Sequence, residues 1–383
     1  MSENKEMAGY QARLDELDQE IMDKLRIRLS VAEDLAKARQ AAGLPIDDLV
    51  AERTKLEDIT SNAPENMATY EKLMYNTIRE LTRDYQRGHL VEDTPLVESI
   101  RNAQKRTPDV FPERAVVACQ GVQGAYQQEA ADRLFSMPKI LYMKNFNGVF
   151  QAIDQGLCQY GVLPLENSTA GSVNSIYDLM SRYQFYIVRS VRLKINHCLL
   201  AKKGTGRENI HEIFSHEQAI LQCEDYLKNF KDLKVTEVPN TAQAAEMVAR
   251  SDRNDVAAIA SFECGKLYGL ECLEESVQDS ANNYTRFICI SKNLEIYPGA
   301  NRTSLLMSVA HKPGALYNVL ARLYTLDINM TKLESRPMPE RDFVYRFYFD
   351  IDADARSDKF IRLMNQTEQL SQDLRYLGSY SEI

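Results

Sequence analysis

The residues best able to do chemistry stand just before a short apolar run in the last third of the chain. Phe287 to Ile290 is rich in β-branched and aromatic side chains, which predicts a buried strand. Thr285 and Arg286 precede it directly, and the amide of Asn283 lies two residues before the threonine. A threonine hydroxyl can pass a proton to a leaving group, and an arginine can hold a carboxylate with two hydrogen bonds. Alone, the same residues are also typical of a strand end that caps a turn beside a surface arginine.

The composition narrows the class of protein. A chain of 383 residues is too long for one hydrophobic core and suggests two or three domains. The net charge of −9, without a basic block, argues against nucleic acid or an acidic membrane as a partner. No apolar run approaches the ~20 residues of a membrane span, and the opening Met-Ser-Glu-Asn-Lys-Glu lacks the apolar core of a signal peptide. The seven cysteines and five histidines show no ligand spacing. We therefore expect a cytoplasmic protein without a structural metal.

Three helices are predicted at the N-terminal end, within residues 1–88. Apolar residues recur at steps of three and four from residue 10 to residue 41, where Gly43 and Pro45 end the pattern. Two shorter patterns follow at 48–62 and 66–87. Helices of such unequal length bury their apolar stripes best against a second copy, so we predict an intertwined all-α dimer.

Polar residues on these helices are spaced so that they share faces. Arg28 and Arg39 are 11 residues apart, about three helical turns, and could hold a small dianion between them. The same spacing is typical of a solvated, charged helix face. Two further pairs lie one turn apart on the second and third helices, Asp48 with Glu52 and Thr82 with Gln86.

Residues 89–113 are predicted as a linker with a short helix at 95–106, and residues 114–293 as an α/β unit. In this unit, predicted strands repeatedly end in a polar turn that opens a helix, where an anion could bind. The pattern predicts two lobes, 114–195 with 271–293 and 196–270, around a crevice that suits a small polyanion. The turn residues are Gly124, Tyr126, Glu166, Asn167, Ser168, Thr169, Ser215, His216 and Ser261.

The last unit, residues 302–383, is predicted to have the element order βαββαβ, which is typical of a ferredoxin-like fold. A strand at 303–311 leads into Lys312-Pro313-Gly314-Ala315-Leu316, which opens a helix. Strands at 328–334 and 342–352, a helix at 356–373 and a short strand at 376–380 complete the unit.

Residues 10–87 resemble the all-helical chorismate mutase family. Gln11 and Ala51 depart from it, because the family usually has arginines there that hold substrate carboxylates; Arg13 and Arg53 lie nearby and could substitute. The resemblance implies a substrate-binding set of Arg28, Arg39, Asp48, Glu52, Thr82 and Gln86.

Residues 114–293 resemble the prephenate dehydratase family, which implies a two-lobed α/β fold like that of periplasmic binding proteins. One small departure is Glu217, where the family commonly has proline. The matching motifs are Gly-x-x-Gly-x-Tyr from Gly121, Leu163-Pro164-Leu165-Glu166-Asn167-Ser168, Asn196-His197-Cys198-Leu199, Ser215-His216-x-Gln218, Leu267-Tyr268-Gly269-Leu270 and Thr285-Arg286-Phe287. The catalytic residues implied are Thr285, Arg286, Glu166, Asn167, Ser215, His216 and Gln222. The substrate-binding residues implied are Gly124, Tyr126, Ser168, Thr169, Ser261 and Phe287.

Residues 302–383 resemble the ACT regulatory domain. The motifs Gly314-Ala315-Leu316 and Glu334-Ser335-Arg336-Pro337 match those with which the dehydratase family binds phenylalanine between paired ACT domains. Asn329 is expected to join this effector site.

The resemblances together imply a bifunctional enzyme of phenylalanine synthesis, a homodimer or homotetramer that needs no cofactor. It would rearrange chorismate to prephenate and convert prephenate to phenylpyruvate with loss of water and CO2, under control by phenylalanine. Two alternatives stay open for the enzyme: a helical unit that serves dimerisation only, and arogenate in place of prephenate. A third alternative is a solute-binding module, which would need no proton donor.

Overall fold

The structure is a computed structural model that describes residues 2–46, 48–90, 93–309, 314–337, 345–370 and 373–383. The described chain forms a helical N-terminal unit, a two-lobed α/β unit and a smaller C-terminal unit. None of the described helices has both the length and the apolar composition that a membrane span requires.

The predicted helical unit is confirmed. It consists of α1 (Ser2–Ala41), α2 (Leu49–Asn62) and α3 (Ala68–Leu90). At 1.5 Å per residue, the 40 residues of α1 make a rod of about 60 Å, much longer than its neighbours. Large apolar side chains along α1 remain exposed, among them Leu14 (54%), Ile21 (43%) and Leu35 (57%). Within one chain, therefore, α2 and α3 do not cover the apolar stripe of α1.

The predicted short helix of the linker is present as α4 (Pro95–Arg106), and it is packed rather than free. Thr94 caps it by accepting a hydrogen bond from the Val97 N–H, and proline stands at its first position. Its buried face, formed by Val97, Ile100 and Ala103, belongs to the hydrophobic core of the C-terminal unit. This helix is therefore part of the core of the C-terminal unit rather than a free linker.

The α/β unit contains nine described strands and α-helices in each of its two parts. The first part comprises β1 (Arg114–Gln120), α5 (Tyr126–Leu134), β2 (Met137–Met143), α6 (Phe146–Asp154), β3 (Tyr160–Asn167), β4 (Gly171–Ser172), α7 (Asn174–Arg182), β5 (Tyr186–Lys194) and, after the second part, β11 (Tyr284–Ser291). The second part comprises β6 (Cys198–Ala201), β7 (Glu212–Ser215), α8 (Glu217–Gln222), α9 (Glu224–Leu227), β8 (Lys234–Glu237), α10 (Thr241–Arg250), β9 (Val256–Ala260), α11 (Phe262–Tyr268) and β10 (Glu271–Glu274).

Each lobe has its own sheet. The first has the order β2-β1-β3-β11-β5, with β4 paired to β3, and the second has the order β10-β6-β9-β7-β8. The prediction that the chain returns to the first lobe at residue 271 is wrong. Glu271–Glu274 pairs antiparallel with β6 of the second lobe, and the chain rejoins the first sheet only at Tyr284.

The C-terminal unit has the order β12 (Arg302–Ser308), α12 (Ala315–Thr325), β13 (Asn329–Pro337), β14 (Tyr345–Asp352), α13 (Asp358–Leu370) and β15 (Arg375–Tyr380). Its sheet is antiparallel throughout, in the order β13-β14-β12-β15. Residues 310–313, 342–344 and 371–372 of the predicted elements lie outside the described residues.

The C-terminal unit shares a hydrophobic core with the first lobe. Tyr348 and Tyr380 pack into the same cluster as Leu163 and Ile288. The chain end also extends the first sheet, because the Ile383 N–H donates to the Ser190 carbonyl at 3.0 Å. As a result, β11 has the crevice between the lobes on one face and the C-terminal unit on the other.

Candidate active site

A cavity of about 380 Å³ lies between the two lobes of the α/β unit. Strand ends of the first lobe and helix starts of the second line it, as open α/β sheets place their ligand sites. Its described lining contains no aspartate, glutamate, lysine or arginine. An anionic ligand there would be held by amides, hydroxyls, imidazoles and helix N-termini. The polar lining residues are Gln120, Tyr126, Gln127, Asn167, Ser175, His197, His216, Gln218, Gln222, Asn240, Thr241 and Thr285.

Thr285 lies on the cavity side of β11, with 8% of its surface exposed. The Asn167 side-chain NH2 donates to its Oγ1 at 2.9 Å. The orientation of that amide is fixed, because Asn167 Oδ1 accepts the backbone N–H groups of Thr169 and Ala170 at 2.9 and 2.8 Å. Among the described residues no acceptor takes the Thr285 hydroxyl hydrogen, so the proton is available to a ligand in the cavity.

Two amides and an imidazole continue this network. Asn283, 1% exposed, accepts from Asn167 at 2.7 Å and donates to Gln222 Oε1 at 2.7 Å. His197 Nε2 lies 3.1 Å from the same Gln222 oxygen. Burial lowers the pKa of His197 to about 4, so its ring is neutral at physiological pH.

The sequence prediction singled out Asn283 beside Thr285 but did not assign it to the site, and it missed His197 as a site residue. Asn283 could have been assigned, since residues 283, 285 and 287 share one face of a strand by the two-residue period. His197 was quoted only as part of a motif, and nothing in its spacing tied it to Gln222.

Arg286 points to the opposite side of β11, away from the cavity. Its Nη2 lies 2.5 Å from Asp350 Oδ2 of β14, and the two side chains are 3% and 0% exposed. Its Nε lies 2.8 Å from Glu166 Oε1, although that N–H is not aligned for a hydrogen bond. Burial alone would lower the pKa of Arg286, but the Tyr380, Asp350 and Glu166 oxygens raise it.

Glu166 belongs to the same inter-unit cluster as Arg286. Burial would raise its pKa, but Arg286 and a hydrogen bond from Lys332 lower it instead, so the carboxylate is ionised. Neither Glu166 nor Arg286 is among the described residues that line the cavity. The structure therefore separates these two predicted catalytic residues from Thr285, because successive side chains in a strand face opposite sides.

The other predicted dehydratase residues divide into two groups. Tyr126, His216 and Phe287 line the cavity together with Asn167, Gln222 and Thr285. His216 also caps α8, accepting the Gln218 N–H on Nδ1 at 3.2 Å, and burial lowers its pKa.

The second group supports the site from behind the described lining. Ser168 accepts the Tyr284 N–H at 2.9 Å and holds its loop against β11. Thr169 contributes a backbone N–H to Asn167. Ser215 is bonded to the Ile259 carbonyl at 2.6 Å, and Ser261 caps α11. Gly124, at φ +89°, packs so closely that a Cβ would lie 3.0 Å from Leu267.

Four of the six predicted residues of the helical unit form two contacting pairs, and the other two contact residues outside the predicted set. Arg28 donates to the Thr82 hydroxyl, and Gln86 donates to the Ala32 carbonyl at 2.6 Å. Arg39 lies 3.2 Å from Asp48. Glu52 contacts an arginine that the prediction did not name.

Arg83 and Arg79, on α3, are the arginines at Glu52. Arg83 pairs with this carboxylate, and Arg79 Nε lies 3.7 Å from it. The suggestion that Arg13 substitutes for a missing arginine finds no support within one chain, because Arg13 is exposed and pairs with Glu16 at 2.7 Å. Arg53 is exposed as well.

The predicted effector residues lie on α12 and β13. Gly314 adopts φ +82° directly before Ala315 and Leu316, the first residues of α12, while Asn329 begins β13 and Pro337 ends it, with Ser335 between them. Two of the set contact the first lobe: Glu334 accepts from Ser172 Oγ at 2.5 Å, and Arg336 Nη2 lies 3.0 Å from Asp178. The described residues therefore place the expected effector strand against the dehydratase-like lobe.

Comparisons with known sequences match both larger units. Residues 117–295 match the prephenate dehydratase family, and residues 10–87 match chorismate mutase type II. The chain is 36% identical over 304 residues to arogenate dehydratase/prephenate dehydratase 2 of Arabidopsis thaliana, covering 76% of this chain and 79% of that protein. It is 28% identical over 387 residues to the bifunctional chorismate mutase/prephenate dehydratase of Escherichia coli strain K12, covering 99% and 97%.

Solved structures are similar over about 70% of the chain. The prephenate dehydratase of Arthrobacter aurescens in complex with L-Phe is 25% identical, with a TM-score of 0.64 over 70% of this chain and 89% of that one. A protein described as GqqA, a novel type of quorum quenching acylase, is 30% identical with the same TM-score, over 70% and 98%.

Proposed function

The chain belongs to the prephenate dehydratase family and carries a type II chorismate mutase domain ahead of the dehydratase domain, and on that premise we propose that Thr285 is the proton donor of its dehydratase reaction. Prephenate loses its ring carboxylate as CO2 and its ring hydroxyl as water, giving phenylpyruvate. Electrons of the breaking carbon–carboxylate bond enter the ring, and the hydroxyl leaves with a proton that the enzyme supplies. Aromatisation drives the step, so the site needs mainly to orient the substrate and protonate the leaving group.

The observation that carries this proposal is the hydrogen bond from Asn167 to Thr285. Because the threonine oxygen accepts from an amide whose orientation is fixed, its own hydrogen points to another acceptor. A leaving hydroxyl in the cavity is such an acceptor. Gln222 and the helix starts at α8 and α10 would hold the substrate carboxylates, since no cationic side chain is among the described lining residues.

The same contact argues against an acylase reaction like the one named for GqqA. An acylase threonine must lose its proton to a base when it attacks a carbonyl. The described partner of the Thr285 hydroxyl is an N–H donor, which cannot remove that proton.

Thr285→Val tests the proposal, because it removes the hydroxyl and keeps the shape. Loss of a positioned proton donor typically costs about 10²–10⁴-fold in turnover. We expect phenylpyruvate release from prephenate to fall in this range, with the folded state retained by circular dichroism. Retention of more than about a tenth of wild-type turnover would exclude Thr285 as the acid.

For the helical unit we propose chorismate mutase activity in a dimer. The rearrangement needs no nucleophile, only a site that holds the substrate compact and stabilises its polarised transition state. Arg28 and Arg39 supply positive charge, and Gln86 and Thr82 supply hydrogen bonds. The exposed stripe of α1 supports the dimer, since a second copy would bury it.

For the C-terminal unit we propose a ferredoxin-like ACT domain that binds phenylalanine at the start of α12 and the end of β13. Its element order and antiparallel sheet support the fold assignment. Phenylalanine would act through different affinities for two arrangements of this unit on the dehydratase domain. Glu334 and Arg336 support that mode, because each already contacts the first lobe and an effector would compete for them.

A further inference from the structure

We propose that His197 is a positioning residue of the dehydratase site, and that its Nε2–H holds the far end of the hydrogen-bond network that orients the Thr285 hydroxyl. This inference rests on the proposed function of Thr285. It follows from the order in which donors and acceptors must alternate through four side chains.

The direction of the network is fixed first at Asn167. Its Oδ1 accepts two backbone N–H groups, which can only donate. Both hydrogens of its NH2 group are then used, one to Thr285 Oγ1 at 2.9 Å and one to Asn283 Oδ1 at 2.7 Å. Amide orientations that are normally a choice between two are determined here by the backbone.

The direction then passes through Asn283 and Gln222. Since Asn283 Oδ1 accepts, its NH2 donates to Gln222 Oε1 at 2.7 Å. Gln222 therefore presents an oxygen on this side, and its NH2 lies 3.5 Å from Asn167 Oδ1 on the other. If the Gln222 amide were flipped, its NH2 would face the Asn283 NH2, and its oxygen would face Asn167 Oδ1. Neither contact could then be a hydrogen bond.

His197 closes the network from the far end. Its Nε2 lies 3.1 Å from Gln222 Oε1, which can only accept, so Nε2 must carry the hydrogen. Nδ1 is then a bare acceptor. Consistent with this, Nδ1 is buried and has no hydrogen-bond partner among the described residues. In the other tautomer an N–H group would be buried there without an acceptor, which costs free energy.

The ring cannot easily turn to another orientation. It is 2% exposed and lies edge-on to Tyr126, with ring centroids 6.0 Å apart. The two ends of the network are thus a rigid backbone turn and a rigid imidazole. If Nε2–H were lost, Gln222 Oε1 would keep only one of its two donors, the Asn283 NH2. Gln222 could then shift, and the shift would pass through Asn283 to the Asn167 amide that donates to Thr285.

The activity test compares His197→Leu with His197→Gln in the full chain. Leucine has no donor, whereas the Gln side-chain NH2 can reach the place of Nε2. A misplacement of about 1 Å can cost about 100-fold in rate. We expect H197L to lower kcat for prephenate by about that factor with KM within a few-fold, and H197Q to be at least about tenfold faster than H197L. An H197L enzyme with more than a third of wild-type kcat, or a folded H197Q as slow as H197L, would overturn the proposal.

A second measurement needs no activity at all. In full-length protein labelled with ¹⁵N-histidine, the His197 ring signals are assigned by their loss in H197Q. We expect a hydrogen on Nε2 and none on Nδ1 at pH 7. The opposite tautomer would overturn the proposal, whereas inactivity of every variant and of wild type with prephenate would overturn the proposed function instead.

Discussion

Asp350→Asn should destabilise the protein strongly although it changes one atom. Asp350 is fully buried on β14, and its Oδ2 lies 2.5 Å from Nη2 of Arg286, which is 3% exposed. Asparagine keeps the shape and can keep the 2.5 Å hydrogen bond from Ser304. What it removes is one negative charge, which leaves Arg286 with Glu166, a carboxylate already shared with Lys332.

The expected magnitude comes from the burial of this pair. Removing one partner of a buried ion pair costs about 3–5 kcal/mol, because the other charge stays in a low-dielectric site. With a urea m-value of about 3 kcal/mol/M, the midpoint should fall by about 1–2 M. The chain has no tryptophan, so unfolding is best followed by circular dichroism or tyrosine fluorescence.

Asp178→Asn provides the matched control. Asp178 also joins the first lobe to the C-terminal unit, through Arg336 at 3.0 Å, but its side chain is 65% exposed. An exposed pair contributes about 0–1 kcal/mol, so D178N should unfold within that range of wild type. If D350N and D178N shifted the midpoint equally, the buried pair would not be the strong contact between the units. We further expect D350N to weaken inhibition by phenylalanine, since the ion pair links β14 to the residue next to Thr285.

Three further predictions follow. Stability should fall on acidification, because the pKa of His197 is about 4 in the folded state and about 6.5 when unfolded, so the unfolded chain binds more protons between these values. The contribution of neutral His197 to the free energy of unfolding is complete above pH 6.5, and about 2 kcal/mol of it is lost by pH 5. Urea titrations at pH 7 and pH 5 measure this loss. An H197Q variant should lose this pH dependence. In the mutase domain, Arg28→Ala and Arg83→Ala should each slow chorismate consumption about 10- to 100-fold, because each removes one charge-assisted hydrogen bond. Arg26 is exposed and paired with Asp23, so Arg26→Ala should stay near the wild-type rate. Equal rates in all three variants would exclude Arg28 and Arg83 from the mutase site, and no chorismate consumption by the wild type would assign the helical unit to dimerisation only. A chain ending near Pro298 should keep some dehydratase turnover and lose its response to phenylalanine, and unchanged inhibition would place the effector site elsewhere.

Periodicity predicted the elements well because it reflects burial. The helical stripe of α1, the helix at Pro95–Arg106 and the strand after Thr285 all appear where apolar spacing placed them. The chain's return to the first lobe was placed too early, since Glu271–Glu274 has no feature of its own that selects β6 over the first sheet.

The site was harder to predict, because its contacts join distant segments. Asn167, Gln222 and Asn283 meet through residues more than 50 positions apart, and no spacing rule links them. Arg286 was grouped with Thr285 because the two are adjacent, yet the two-residue period of a strand already separates their side chains. Arg83 was overlooked because an arginine on a charged helix is usually solvated, and its contact with Glu52 exists only across two helices.

Because successive side chains of β11 point to opposite sides, this strand contacts both the cavity and the C-terminal unit. Thr285 and Phe287 face the cavity, while Arg286 and Ile288 face the C-terminal unit through Asp350 and a shared hydrophobic core. Any shift of the C-terminal unit that moves Asp350 acts on Arg286, and Arg286 moves the backbone that carries Thr285. A shift of a few tenths of an ångström suffices, because proton transfer requires close hydrogen-bond geometry. The proposed regulation therefore needs no long relay, because the proposed effector unit contacts Arg286 and the proposed proton donor is Thr285, its neighbour on one strand.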